Sequence, residues 1–375
     1  MESDAALLLL VRARLPDAVL RALLDAHRDP VAALAAARGG GLGLSPHARL
    51  ALRTPDLPLL DADRAWLAAG RRRLLAWHDA DYPPLLRHAP TPPPVLFVEG
   101  DADALWHPQV AIVGSRNPTA AGRERAHDFA VRIAAAGWTI TSGLAEGIDA
   151  AAHAGALSAG RTVAVVGTGL DRCYPPANAA LQARIAAAGA VVSEHPPGTG
   201  ARAAHFPSRN RIVAGMTLAT VVIEAAWRSG ALISARLAAE AGREVFAVPG
   251  SPDNPLARGC HRLIRDGAVL VEEPGEVVEA LAPAAAALAG ELRGRLGPVG
   301  SAAAPVHRSG PAEGPSQADA DHSRLWSALG HDPTGLDVLA RRTGLTVPVL
   351  SSMLLHMELD GCVVAADGRY ARRRH

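Results

Sequence analysis

Lysine is absent from the 375 residues, and all 38 basic side chains are arginines. With alanine used heavily beside 36 glycines and 29 prolines, this is a compositional bias, so arginine in place of lysine carries little functional information. It does make every cation a planar, permanently charged fork suited to phosphate. Cysteine is almost absent. Cys173, Cys260 and Cys362 lie far apart with no C-x-x-C pair, which argues against a disulfide framework or a zinc site and fits a reducing cytoplasm. No apolar run approaches the roughly 20 residues of a membrane span. The run Leu7–Val11 is short, is followed by Arg12 and Arg14, and lacks a small-residue cleavage site, so no signal peptide is expected. The net charge is only +1, which removes any whole-molecule field towards nucleic acid or membrane. No G-x-x-x-x-G-K-[ST] occurs, which excludes a P-loop. Neither a metal nor a cofactor is expected.

What the chain does have is a series of short apolar runs between Val110 and Gly250 that stop abruptly at Gly, Ser or Pro. They include Val110-Ala-Ile-Val-Gly-Ser-Arg116, Thr139-Ile-Thr-Ser142, Val163-Ala-Val-Val-Gly-Thr-Gly169, Val221-Val-Ile-Glu224 and Val245-Phe-Ala-Val-Pro-Gly250. Ala-rich segments with helical periodicity, such as Glu124–Ala135 and Ala177–Ala188, lie between them. Continuous apolar strands alternating with helices predict an α/β fold with a parallel-rich sheet covered on both faces. In such open sheets ligands bind beyond the carboxyl ends of the strands.

The flanks differ in kind. Residues 1–75 read as a small helical domain: Asp4, Pro16-Asp17 and Pro30-Val31 start helices, Gly39-Gly-Gly-Leu-Gly43 interrupts, and another helix follows Asp61 or Asp63. Docking is its simplest role, and a helix-hairpin-helix DNA contact is the alternative. Residues 76–281 form the α/β domain, entered through a Pro-rich connector (Tyr82-Pro-Pro84, Pro90, Pro92-Pro-Pro94) that should be stiff and extended. Residues 282–321, rich in Ala, Pro, Gly and Ser, read as a flexible linker. Residues 322–375 hold three helices (His322–Leu329, one capped by Thr334, and Val347–Leu359) and a short hairpin, a winged-helix pattern. Its last helix carries no arginine and exposes Ser351, Ser352 and His356, so protein contact or regulation suits it better than major-groove reading. Only the tail Arg372-Arg-Arg374 argues for DNA there.

At the strand ends, Gly114 permits close backbone approach, Ser115 offers a hydroxyl, Arg116 can fork onto a phosphate, and the following amides could meet an anion. The bland alternative is a tight turn with a solvated arginine. Ser142-Gly143 and Gly167-Thr-Gly169 repeat the device. Gly167-x-Gly169 is no dinucleotide fingerprint, because Arg172 stands where a third glycine belongs. Phe206-Pro-Ser-Arg-Asn-Arg211 sets Arg209, Asn210 and Arg211 beside an aromatic ring, which suits a single strand of nucleic acid. The same arginines could instead pair with internal carboxylates such as Glu224 or Glu194. Glu146 and Asp149, with His153, could be acid/base groups; helix capping by Asp149, with His153 as its i,i+4 partner, is favoured. From residue 96 to residue 283 there are sixteen arginines against eighteen carboxylates, so any nucleic-acid site must be a local cluster.

These motifs resemble the DNA-processing protein A family (DprA, also called Smf). The likeness is carried by 110–116, Ser142-Gly-Leu-Ala-Glu-Gly-Ile-Asp-Ala-Ala-Ala-His153, Gly167-Thr-Gly-Leu-Asp-Arg-Cys-Tyr-Pro175 with Asn178, Ser193-Glu-His-Pro196, 206–212, Glu224–Ala235 and 243–250. It covers residues 82–280 at full strength. The resemblance implies an extended Rossmann-like domain, commonly dimeric, that binds single-stranded DNA, protects incoming strands in natural transformation and helps load the RecA recombinase, without enzymatic activity. It also implies a DNA pocket on Gly114, Ser115, Arg116, Arg209 and Arg211, with Ser142, Gly143 and Gly167 lining the same crevice. Two departures stand out: Gly259-Cys-His261 where the family usually reads Gly-Thr-Asn, and Ser229-Gly-Ala-Leu232 where Ser-Gly-Ser-Leu is common. A nucleotide-handling enzyme using Glu146, and a regulator acting through the winged helix, are the competing readings.

Overall fold

The structure, a computed structural model, describes residues 3–40, 43–296, 317–330, 332–359, 362–366 and 368–373. Five helices open it: α1 (Ser3–Arg12), α2 (Asp17–His27), α3 (Pro30–Gly39), α4 (Pro46–Arg53) and α5 (Leu57–Ala68). The side chains of Asp29, Ser45 and Asp56 cap α3, α4 and α5 by accepting backbone amides. Helix α5 therefore starts before Asp61 and Asp63, the expected starting points. Asp63 is buried instead, taking Arg12 Nε at 2.7 Å and Nη2 at 2.5 Å. Helix α4 was not anticipated.

The α/β domain runs β1 (Arg72–Ala76), α6 (Pro84–Arg87), β2 (Val95–Gly100), β3 (Gln109–Gly114), α7 (Ala120–Ala135), β4 (Thr139–Ser142), α8 (Ile148–Ala159), β5 (Thr162–Val165), α9 (Ala179–Ala188) and β6 (Ala190–Ser193). It continues with α10 (His205–Met216), β7 (Ala219–Ile223), α11 (Ala231–Glu240), β8 (Glu244–Ala247), α12 (Arg258–Arg265), β9 (Val269–Leu270) and α13 (Pro274–Leu296). The sheet order is β1-β2-β6-β5-β4-β3-β7-β8-β9. From β6 to β9 every pairing is parallel, while β1 and β2 add an antiparallel edge. The expected parallel-rich sheet is what forms. Alternation along each strand divides the core: Val110 and Ile112 pack beneath α7 and α8, and Ala111 and Val113 pack beneath α10 and α11. The helical domain shares a third apolar cluster with Phe97, Ala164 and Val191 of the sheet.

Three expectations need correction. Residues 72–76 are a strand, not helix: pairing with β2 sets Arg72 opposite Glu99 and closes an ion pair of 2.9 Å, a tertiary gain that outweighs local preference. The Pro-rich connector is not an extended spacer. It folds back through α6, buries Tyr82, whose hydroxyl donates to Pro93 O at 2.7 Å, and receives Arg21 on Pro92 O. The segment read as a linker begins inside α13, which carries Pro283 and continues to Leu296 because Val277 and Leu281 anchor it on the sheet's α7 side. Residues 297–316 lie outside the described residues.

The winged helix comprises α14 (Gln317–Ala328), β10 (Thr334–Gly335), α15 (Leu336–Thr343), α16 (Val347–Leu359), β11 (Val363–Ala366) and β12 (Arg369–Arg372) around its own core of Leu325, Leu339, Leu350 and Leu354. Thr334 pairs with Tyr370 in the small sheet rather than capping α15. Arg372 lies 4.5 Å from the Trp326 ring and donates to its carbonyl, while Arg374 lies outside the described residues. Arg342 holds this module to α7 by a two-pronged ion pair with Glu124, at 2.6 and 2.7 Å.

Candidate nucleic-acid interface

Strand order reverses between β3 and β7: the chain adds β4, β5 and β6 on one side of β3, and β7, β8 and β9 on the other. The two carboxyl ends diverge there and leave a crevice, the position where open α/β sheets bind ligands. Its volume is about 430 Å³. The ends of β3 and β4, the first turns of α10 and the segment 226–231 after β7 line it.

Six of the nine expected residues meet there: Gly114, Ser115, Arg116, Gly143, Arg209 and Asn210. Gly114 is needed because a Cβ would overlap the Ile223 carbonyl of the neighbouring strand. Arg116 is exposed, with its Cζ 5.8 Å from the Phe206 ring centre. Asn210 has no side-chain partner among the described residues. The amides expected to greet an anion after Ser115 are partly committed: Asn117 N donates to Ser115 Oγ and Thr119 N to Glu224 Oε2.

Arg209 forms the floor. It is only 5% exposed, and Nη1 donates to Val165 O at 2.5 Å. Nε has no partner among the described residues. The guanidinium passes directly beneath Gly143, where any Cβ would overlap it. Asp149, also buried, accepts Gly143 N at 3.2 Å and Ala145 N at 3.3 Å. Burial pushes the Asp149 carboxyl above its ordinary range and the Arg209 guanidinium below, and their mutual attraction opposes both shifts. Asp149 is thus a brace for the loop after β4. It is not the partner of His153, whose Nδ1 lies 2.7 Å from Thr162 Oγ1. Thr162 spends its proton on Ile140 O, so Nδ1 carries the imidazole proton. Burial, with Arg209 adding to it, drives His153 down to about 3, so it is neutral. Glu146 is exposed and does not line the crevice.

Three expected residues are elsewhere. Ser142 is fully buried, and its hydroxyl donates to Ile112 O at 2.6 Å. Gly167 is buried beneath the start of α10, its carbonyl 3.0 Å from His205 Nδ1. Arg211 faces the helical domain, bound to Glu194, to Asp17 Oδ2 at 3.4 Å and to Thr91 O at 2.5 Å. The reason is helical geometry: 205–216 is α10, and residues two apart on a helix point to opposite sides. The internal carboxylate Glu194 therefore claims Arg211 but not Arg209.

Sequence reasoning missed Arg228, which is exposed, lines the crevice and has no ion-pair partner among the described residues. Its position five residues past the end of β7 was the available signal. Of the two departures, Cys260 is buried and His261 Nε2 lies 3.0 Å from Gly250 O. The backbone there is held by Gly259 N on Ala225 O at 2.7 Å.

Three arginines and a single braced carboxylate among its described lining residues thus line the crevice of a Rossmann-like domain that carries a winged helix. The chain belongs to the DNA recombination-mediator protein A family, whose profile matches residues 73–282; the profile of the DprA winged helix domain matches residues 309–369. It is 39% identical over 319 residues to Protein Smf of Escherichia coli K12, covering 84% of this chain and 81% of that protein. The X-ray structure of DNA processing protein A from Streptococcus pneumoniae is similar with a TM-score of 0.67 at 35% identity, covering 74% of this chain and 98% of that one. A structure of DNA processing protein A from Helicobacter pylori, described for its single-stranded DNA binding mode, is similar with a TM-score of 0.53 at 27% identity, over 58% and 98% of the two chains. No helix among the described residues is long and apolar enough to cross a membrane.

Proposed function

We propose that this chain binds single-stranded DNA in the crevice between β3 and β7, protects it, and helps load the RecA recombinase onto it during transformation or recombination. The observation that carries the reading is the clustering of Arg116, Arg209, Arg228 and the free Asn210 amide beside the Phe206 ring. Guanidiniums follow phosphates, and an aromatic ring accepts any base face, so binding is sequence-tolerant. The relative from Helicobacter pylori, whose structure is described for its single-strand binding, supports the same ligand. We read the crevice as non-enzymatic, because its one lining carboxylate among the described residues is Asp149, buried and occupied by two amides. The partner at the free edge of the sheet is a second copy of the chain. Val269 and Leu270 of β9 are each 46% exposed there, an apolar edge suited to burial. A reducing cytoplasm is the proposed compartment, consistent with three free cysteines.

The test is fluorescence anisotropy of a labelled dT oligomer at two salt concentrations, with duplex and free nucleotides as competitors. Arg116→Ala should weaken binding roughly tenfold and flatten the salt slope by about 0.7, one phosphate's share on a single strand. Effective competition by nucleotides, with oligomer binding unchanged in the variant, would remove DNA from this crevice and call for a nucleotide-cleavage assay of the wild-type protein.

A further inference from the structure

The planar groups at the crevice do not end at Phe206. Tyr174 packs against that ring too: its ring centre is 5.1 Å from that of Phe206, with the planes tilted 39°. Arg116 and Tyr174 are thus both neighbours of the Phe206 ring, one inside the crevice lining and one outside it. Tyr174 itself does not line the crevice, and 46% of its surface is open. Its hydroxyl has no partner among the described residues. An aromatic left this open gains little from the fold.

The segment that presents it is pinned. Thr168 Oγ1 donates to Arg172 O at 2.8 Å, and Cys173 Sγ to Pro175 O at 3.3 Å. Asn178 Nδ2 donates to Leu144 O at 2.9 Å, tying the segment to the turn after β4 that walls the crevice. A ring on a braced loop loses little conformational freedom when a base lands on it.

We propose that Tyr174 is a base-stacking residue of the strand site, taking the next exposed base as the strand leaves Phe206. The inference rests on the single-strand reading above. It adds a contact to bases where the arginines contact phosphates, so it predicts dependence on the presence of bases and none on salt.

The experiment titrates full-length protein against a dT oligomer and against an oligomer of equal length with abasic positions throughout. Tyr174→Ala should weaken dT binding about tenfold, within the range for one stacked base. It should leave abasic binding and the salt slope unchanged. Tyr174→Phe should match wild type, and Tyr174→Leu, which keeps bulk without a π-face, should behave like Tyr174→Ala. In a Phe206→Ala background the Tyr174→Ala loss should persist, which separates stacking on Tyr174 from support of the Phe206 ring. The proposal is overturned by an equal loss on the abasic oligomer, by disappearance of the effect in the Phe206→Ala background, or by unchanged dT affinity. A wild-type protein that ignores dT overturns the strand reading and this inference together; wild-type binding with an unaffected Tyr174→Ala overturns only the inference.

Discussion

The crevice and the seam behind it, between the sheet and the helical domain, are both built with arginine. At the seam Arg12, Arg21 and Arg211 are consumed, while Arg14 and Arg202 stay exposed. Arg12 grips Asp63 and reaches Pro197 O at 2.8 Å, and Arg211 is held by Glu194, Asp17 and Thr91 O. At the crevice, among the described residues, Arg116 and Arg228 have no carboxylate partner and the one lining acid, Asp149, is spent on bracing a loop. Carboxylate placement, not arginine density, separates glue from a binding surface. Helix α10 belongs to both regions: Arg209 faces one and Arg211 the other.

The largest expected effect comes from removing Arg209, the crevice arginine that behaves most like a seam residue. Arg209→Ala leaves Asp149 buried without its counter-charge, and we expect a loss of about 3–5 kcal/mol in denaturant unfolding. Adding Asp149→Asn should recover a substantial part of it. If Arg209→Ala keeps full stability and loses only DNA binding, Arg209 is a ligand group and not a floor.

Acid should damage the crevice side next. His153 is held neutral, down to about 3, against an ordinary value near 6.5. Its folded-state value is the lower one, so between those pH values the unfolded chain binds the extra proton. Stability is therefore fully present above pH 6.5 and is lost as pH falls towards 3, by about 2 kcal/mol at pH 5 from this group alone. Urea unfolding from pH 7 to pH 5 should be visibly shallower in pH dependence for His153→Gln. Equal slopes would remove His153 as the cause.

The smallest effect is expected at the seam. Arg211→Ala breaks a half-buried network, so we expect about 1–2 kcal/mol of stability lost and unchanged affinity for dT by anisotropy. A tenfold affinity loss without destabilisation would return Arg211 to the DNA site.

Much of this was legible. The runs 110–114 and 221–223 announce buried parallel strands by unbroken apolar character, and the glycines and serines that end them mark the crevice rim. Helix α16 matches its expected range of Val347–Leu359. What was not legible involved partners distant in the chain. Strand β1 depends on Glu99 and β2, and α13 depends on the sheet face it covers. Ser142 looked like its neighbour Gly143, but its hydroxyl is spent on a carbonyl thirty residues earlier.

The sequence by itself determined a parallel-rich α/β domain between two helical modules, the strand ends where a ligand must sit, and the residue types able to hold a phosphate. Those properties follow from periodicity and side-chain chemistry, which are local. Only the tertiary structure decided that Arg209 becomes a floor, Arg211 a tether, Arg228 a rim cation and Tyr174 an outlying platform. Each of those roles depends on which way one helix or loop turns its side chains and on what lies opposite. That is settled when the sheet brings residues a hundred positions apart within a hydrogen bond of each other, as it does for Thr119 and Glu224.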